Sequence, residues 1–342
     1  MQPNILVTGA AGYIGGSVIA DFLSQNVIGK EYVTALVRTE AQQEVLSRLG
    51  IKVVRADLSD KEALTEAVLQ NKINVVIHTA SSMDPSYSLP LISALSKRKE
   101  QGEPETFFLH TSGYSAFFHH LGWPSTLNSD TGPVFPKIKE LGDSFPLRRT
   151  DVTITEHGRA CGVKTFIVMP PTVYGKGTGP GNTVSFPLRL LVTGLLKAGE
   201  VGKFSENKQH FVTHISDVVS LCARIIQNIR QGNALAHGEQ GFYLAMEPFV
   251  YWHDVHERLA AALHARGLVG SPEVKTWRSY DEASEKMGFP PEFVQMLWDG
   301  TCTMAPSRSQ AIGWRPTRDG SYFMESIEDD IDAVLEERNA GA

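Results

Sequence analysis

Asn4-Ile5-Leu6-Val7-Thr8-Gly9-Ala10-Ala11-Gly12-Tyr13-Ile14-Gly15-Gly16-Ser17-Val18 is the stretch that decides the fold. Ile5 to Val7 is a short apolar run, rich in β-branched residues, and reads as a buried strand. Gly9, Gly12 and Gly15 follow, and Tyr13 to Leu23 has the pattern of an amphipathic helix. Strand, tight glycine turn and helix in that order suit a diphosphate. Gly9 permits a turn that a side chain would block. Gly12 lets backbone N–H groups approach a pyrophosphate at the positive end of the helix. Gly15 lets the helix pack close to the strand. A second strand, Tyr32 to Val37, arrives at the spacing such a unit requires.

That strand ends in Ala35-Leu36-Val37-Arg38-Thr39, where dinucleotide folds meet the adenosine ribose. An acidic residue there bonds the ribose hydroxyls and selects NAD(H), whereas a guanidinium pairs with a 2′-phosphate. Arg38 therefore favours NADP(H) over NAD(H), the alternative being a solvated surface arginine. Lys52 to Arg55 reads as a third strand, closed by Asp57-Leu58, with Ser59 or Asp60 capping a helix from Lys61. Asp57 is expected near adenine, unless turn chemistry uses it. Asn74 to Ser82 is a fourth strand running into Thr79-Ala80-Ser81, small residues that leave room for a diphosphate–ribose. Thr106 to His110 is a fifth, ending in Thr111-Ser112-Gly113-Tyr114-Ser115 at the carboxyl edge, where open α/β sheets place chemistry. Thr165 to Met169 is a sixth. It leads to a stiff turn, Pro170 to Gly175, that frames a nicotinamide, and then to a flexible glycine loop, Gly175 to Gly181.

The alternation then loosens. Val218 to Ile229 reads as a helix capped by Asp217, with His214 available to anchor a second lobe. Phe242 to Ala245 reads as a strand and Val255 to Leu263 as a helix, followed by Trp277, Trp298 and Trp314. The expected division is a dinucleotide-binding domain over 1–175, with returning segments near 208–232 and 240–246. Residues 176–207 and 247–342 then form a smaller substrate lobe.

Apolar content of 42% and charged content of 20% are ordinary for a globular chain of 342 residues. A net charge of -6 and the absence of a basic run argue against nucleic acid as a main partner. The three cysteines, Cys161, Cys222 and Cys302, are far apart and form no metal-ligand spacing. They suggest reduced thiols in the cytoplasm and no metal site. No leader is expected ahead of the first strand, and no apolar run is long enough to span a bilayer. A small-molecule substrate and a monomer or homodimer are expected.

Thr8-Gly9-Ala10-Ala11-Gly12-Tyr13-Ile14-Gly15, Val76-Ile77-His78-Thr79-Ala80 and Pro170 to Gly175 together resemble the extended short-chain dehydrogenase/reductases, as do His214-Ile215-Ser216-Asp217 and Gly313-Trp314-Arg315-Pro316. That group includes NAD-dependent epimerase/dehydratase and dihydroflavonol-reductase-like proteins, and the likeness, closest to fungal-type members, covers nearly the whole chain. It implies a Rossmann-type, doubly wound parallel α/β sheet of seven strands, a bound nicotinamide dinucleotide and a C-terminal substrate lobe. The residues placed on the cofactor are Gly9, Ala11, Gly12, Tyr13, Ile14 and Gly15 in the turn, then Arg38, Asp57 and Leu58. Thr79, Ala80, Ser81, Thr111, Pro170 and Val173 complete the set.

The family's acid/base is the Tyr of a Tyr-x-x-x-Lys pair, beside a Ser/Thr after the fifth strand. Here none of the nine tyrosines has a lysine four residues on. The Tyr and Lys places fall near Asp143 and Leu147, and the serine place at Gly113. Three consequences compete. In the first, Tyr114 or Ser112 donates the proton in a reduction, with Arg148 or Arg149 replacing the lysine charge. In the second, the fold runs a non-redox isomerisation, elimination or cyclisation over a bound nucleotide. In the third, the chain is a non-catalytic NADP sensor. Phe117, Phe118, Trp123 and the loop after Gly175 suggest an apolar substrate pocket rather than a sugar-nucleotide site. His110 reads as a satisfied core histidine, and His119 and His120 as pocket residues or adventitious metal ligands. Tyr114 is alternatively a packing residue under the lobe.

Overall fold

The computed structural model describes residues 2–103 and 105–340. β1 (Ile5–Thr8), α1 (Tyr13–Ser24), β2 (Val33–Val37), α2 (Glu40–Ser47), β3 (Lys52–Arg55), α3 (Lys61–Gln70), β4 (Val75–His78), α4 (Leu89–Glu100) and β5 (Phe107–Thr111) alternate strictly. α5 (Val134–Glu140), α6 (Pro146–Ala160), β6 (Lys164–Met169), β7 (Thr172–Tyr174), α7 (Phe186–Ala198), β8 (Gly202–Lys203), β9 (Gln209–His214) and α8 (Ile215–Gln231) come next. β10 (Phe242–Leu244), β11 (Phe249–Tyr251), α9 (Trp252–Ala265), β12 (Lys275–Thr276), α10 (Tyr280–Met287), α11 (Pro291–Asp299), α12 (Ser307–Ala311) and α13 (Gly320–Ala340) complete the chain.

Seven strands pair in the order β10-β6-β5-β4-β1-β2-β3, all parallel. This is the doubly wound sheet that the resemblance implies. Its central strands are buried on both faces, which explains their continuous apolar runs. Ile5 and Val7 face a core shared with α1 and α8, whereas Leu6, Val76 and Phe108 face one shared with α3, α4 and α6. The strand order reverses at β1 and β4. The crevice outside those carboxyl ends is where open α/β sheets take their ligands. A third core, with Trp252, Trp298 and Phe323, gathers α7, α9, α10, α11 and α13 into a second body beside the sheet.

Two details differ from expectation. α8 starts at Ile215, and its cap is His214, whose Nδ1 accepts from the Ser216 N–H at 3.2 Å. Asp217 lies inside the first turn, and its Oδ1 accepts from the Thr317 N–H at 3.0 Å and the Thr317 hydroxyl at 2.8 Å. The roles of cap and anchor are therefore exchanged, because Asp217 finds donors 100 residues away. Residues 175–183 are not a free loop but a strap tied to α1. Thr178 donates its N–H to Ser17 Oγ at 3.2 Å and its hydroxyl to Asp21 at 2.7 Å, while the Asn182 N–H donates to Ala11 O at 2.9 Å. A Cβ on Gly179 would lie 2.5 Å from the Gly16 carbonyl carbon, so only hydrogen fits at that crossing.

The glycine turn is equally tight. Gly9 has φ +66°, and a Cβ on Gly15 would lie 2.5 Å from Thr79 Oγ1 and closer still to Gly9 O. Gly15→Ala should lower the unfolding free energy by roughly 1–3 kcal/mol, the usual cost of overpacking. Urea denaturation checks this, and an unchanged midpoint would contradict the packing described.

Candidate active site

The turn after β1 and the ends of β2, β3 and β4 enclose a cleft of about 480 Å³. Gly9, Ala11 and Gly12 form its floor, with Thr79 and Ala80 on one side and Arg38, Asp57 and Leu58 on the other. Gly12 caps α1 with no side chain, so the first amides of the helix have no competing intramolecular acceptor. Thr79 donates its hydroxyl to Thr8 O at 2.8 Å, which holds the β4 end against the turn. The floor is bare backbone because β1, β4 and α1 meet there through glycine. That geometry and polarity fit a diphosphate. Arg38 is exposed and has no ion pair among the described residues, and Gln42 and Tyr87 lie along the same wall. The Asp57 carboxylate accepts from the Ser59 N–H at 2.8 Å and from its hydroxyl at 2.6 Å, which with nearby Arg38 lowers its pKa. Asp57 thus performs turn chemistry and lines the cleft as well.

A second cleft, of about 380 Å³, begins where the first ends, and Gly12, Thr79 and Asn182 belong to both. Tyr13, Ile14, Gly15, Pro170 and Val173 line its inner end, with Ser112 and Tyr114. Its outer wall comes from the second body: Phe186, Leu188, Leu191, Trp252, Met296 and Leu297. The polar groups that reach it are few. Ser112 donates to Asp151 Oδ2 at 2.9 Å. The Tyr114 hydroxyl donates to Gly300 O at 3.5 Å, and burial raises its pKa. Leu147 lies beside Gly113, its Cδ1 3.4 Å from where a Cβ would stand. The place given to the family's lysine thus carries a hydrocarbon.

Other candidates lie elsewhere. Ser81 and Thr111 line neither cleft. The neighbouring His78 ring is buried, its Nδ1 2.7 Å from Thr8 Oγ1, and burial lowers its pKa to about 4. The Thr111 hydroxyl is buried without a partner. Tyr13 directs its hydroxyl to Gly175 O at 2.6 Å, so the ring, not the hydroxyl, serves the wall. Arg148 does not replace the lysine charge. Its guanidinium is fully buried and donates to Ala116 O at 2.8 Å, Leu121 O at 2.7 Å and Ser144 Oγ at 3.1 Å. Arg149 is exposed on the far side of the helix and lines neither cleft. Of Phe117, Phe118 and Trp123 only Phe118 reaches the cleft; Phe117 and Trp123 pack edge to face in the core, ring centroids 4.8 Å apart. His119 binds Trp123 O at 3.1 Å, and no group of His, Cys, Asp or Glu among the described residues is arranged to hold a metal. His110 is buried but not satisfied: neither ring nitrogen has a hydrogen bond, and Nε2 lies 3.7 Å from Asp151 Oδ1. Asp151 carries no sequence signal of its own, since Arg148-Arg149-Thr150-Asp151 reads as a solvated helical face. Asn182 was hidden in a segment that looks like a loop.

The fold and the two joined clefts define a dinucleotide-binding α/β enzyme fold. Residues 5–93 match the family model described as the NAD dependent epimerase/dehydratase family. That match covers the first strands and helices of the sheet, and the solved structure below shares the fold over nearly the whole chain. The chain is 23% identical over 337 residues to the oxidase ucsJ of an Acremonium species, covering 92% of this chain and 93% of that protein. It is 34% identical over 157 residues to the UDP-glucose 4-epimerase of Bacillus subtilis, covering 43% and 42% of the two chains. The UDP-glucose 4-epimerase of Thermus thermophilus, solved with NAD, superposes with a TM-score of 0.62 at 20% identity over 97% of this chain and 98% of that one. No described helix is long and apolar enough to cross a membrane.

Beside the clefts, Asp330 on α13 accepts from the Gly175 N–H at 3.0 Å, and burial raises its pKa to about 7. A carboxyl whose pKa is raised on folding stabilises the fold at low pH and loses that contribution as pH rises from its ordinary 3.8 through about 7. Asp330→Asn keeps an acceptor for Gly175 and removes the titration. Its unfolding free energy should fall less steeply over that window than the wild type's in pH-dependent urea melts, and equal slopes would exclude the titration.

Proposed function

We propose that the chain is an NADP(H)-dependent oxidoreductase acting on a small apolar carbonyl or hydroxyl compound. One observation carries this reading. A polar cleft with an arginine outside any ion pair among the described residues at one end is joined, at Gly12 and Thr79, to a mainly apolar cleft lined by Ser112 and Tyr114. Arg38 stands where a 2′-phosphate would lie, and guanidinium matches phosphate geometry. The ADP half would rest on the glycine turn and the helix amides, with the nicotinamide ring by Pro170 and Val173. Bound there, such a dinucleotide supplies hydride exchange. The chain's own part is to exclude water, orient the substrate and manage one proton. Leu188, Leu191, Trp252 and Leu297 favour hydrocarbon over a sugar nucleotide, since few polar groups reach that wall. The proposed substrate lobe, 176–207 with 247–342, would contribute this wall.

Leu147 and Gly113, at the places of the family's lysine and serine, favour a second reading: a non-redox isomerase, lyase or cyclase holding the dinucleotide as scaffold. Titration with NADPH and NADH, followed by a carbonyl screen at the nicotinamide absorbance, separates the two. NADPH oxidation coupled to product supports the first; binding with substrate change but no oxidation supports the second. Arg38→Asp should weaken NADPH binding about 10- to 100-fold while leaving NADH binding nearly unchanged, as expected for loss of a charge-assisted contact. An unaltered preference would refute the assignment of Arg38. Tyr114→Phe, read by steady-state turnover, should change kcat less than Ser112→Ala does, because the Tyr114 hydroxyl is directed at Gly300 O.

A further inference from the structure

We infer that Asp151 serves this site through Ser112: the hydroxyl facing the apolar cleft gives its proton to a substrate oxygen, and the Asp151 carboxyl restores it. The inference rests on the reductase reading above and names what takes over from the missing tyrosine and lysine. Ser112 stands at the end of β5 with one side in the cleft, and its Oγ is 2.9 Å from Asp151 Oδ2. Asp151, on α6, is wholly buried. That hydroxyl is the carboxyl's hydrogen bond, and Oδ1 has none.

Among the described residues no permanent cation pairs with the carboxyl. The groups packed round it are His110 on β5, whose Nε2 is 3.7 Å from Oδ1, and His78 on β4, stacked on His110 at 5.6 Å. Burial pushes both imidazoles towards neutrality, and the two rings disfavour each other's charge. Arg148, one turn back, points to Ala116 and Leu121 instead. His157, further along α6, is engaged with Ser93 at 2.9 Å. A carboxyl so placed keeps its proton well above the usual carboxylate range, by desolvation. The result is a stored proton behind a hydroxyl that opens on a water-poor cleft.

The step balances as follows. When bound, a reduced nicotinamide supplies hydride to the carbonyl carbon. The Ser112 O–H bond breaks as an O–H bond forms on the former carbonyl oxygen. For this the Ser112 O–H turns from Asp151 Oδ2 to the substrate oxygen, and the protonated carboxyl donates across the same 2.9 Å contact to Ser112 Oγ and is left as carboxylate. The substrate has gained a hydride and a proton, the dinucleotide has lost the hydride, and the carboxylate regains its proton by the same path from water admitted as product leaves.

The test begins without cofactor or substrate. Infrared difference spectra of wild type against Asp151→Asn at neutral pH should show a protonated carboxyl band belonging to Asp151. Asp151→Glu, which shifts the band, stands in should the asparagine variant not fold. With NADPH and a panel of apolar aldehydes and ketones, Asp151→Asn and Ser112→Ala should each lower kcat about 10²- to 10⁴-fold, the range of general acid catalysis. The dissociation constant for NADPH should stay unchanged. The double variant should be no slower than the slower single, as for groups acting in one unit. Absence of the band overturns the inference, as does wild-type kcat in either single variant or additive losses in the double. If wild type oxidises no NADPH with any member of the panel, the reductase reading fails and the relay falls with it. The band then distinguishes that result from an ionised Asp151.

Discussion

The close backbone contact between α1 and the ends of β1 and β4 constrains everything around it. Thr79 Oγ1 and Gly9 O occupy the volume where a side chain at position 15 would go. Thr79 in turn holds the Thr8 carbonyl. A helix pressed onto strand ends in this way leaves its first amides pointing along the crevice with no partner of their own. Buried or half-buried donors of that kind demand an acceptor. The sheet's reversal of strand order places the crevice where no crossover covers it. Close packing and anion binding are therefore one requirement, met by the same three glycines.

The strap extends that constraint to the second body. It crosses α1 at Gly16 and Gly179 and reaches Ala11 through Asn182. It is held from behind by Asp330 at Gly175 and by Tyr13 at the Gly175 carbonyl. Asn182 thereby borders both clefts, and Ser185 and Leu188 follow it into the wall of the apolar one. Asp217 joins α8 to Thr317, so the second body is tied to the sheet at two separate places. The relative position of the two clefts is set by these ties rather than by the glycine turn alone.

What the sequence revealed follows from how far apart the interacting residues are. β1, the glycine turn and α1 are legible because their pattern is local and each residue type has one physical reason to be there. Lys52–Arg55 and the Asp60 cap are legible for the same reason, and Asp60 does accept from the Ala63 N–H at 2.9 Å. His214 and Asp217 were assigned each other's roles because the Thr317 donors that claim Asp217 lie a hundred positions downstream. Gly175–Gly181 has the composition of a flexible loop, and only the approach of Gly16 shows why glycines are needed there. Arg148 reads as a free charge near the site, yet two carbonyls of the loop after β5 and the Ser144 hydroxyl ahead of α6 claim it. Asp151 sits in a polar helical run, and its burial is decided by His110 and Ser112 on a strand that the helix sequence does not mention.

The departure at Leu147 alters more than one residue. A lysine there would bring a permanent positive charge to the inner end of the cleft, where it would hold a neighbouring hydroxyl or carboxyl in its ionised form. Leucine removes that charge and some of the water that would accompany it. In the resulting medium an unpaired carboxylate is expensive, so Asp151 is stabilised as the acid and Tyr114 as the neutral phenol. A site without fixed positive charge favours chemistry that begins and ends neutral. It also favours a substrate with few polar features beyond its reacting oxygen, since Leu191, Met296 and Leu297 offer no hydrogen-bonding group. The apolar wall and the neutral proton store are in this sense two consequences of the same loss of charge.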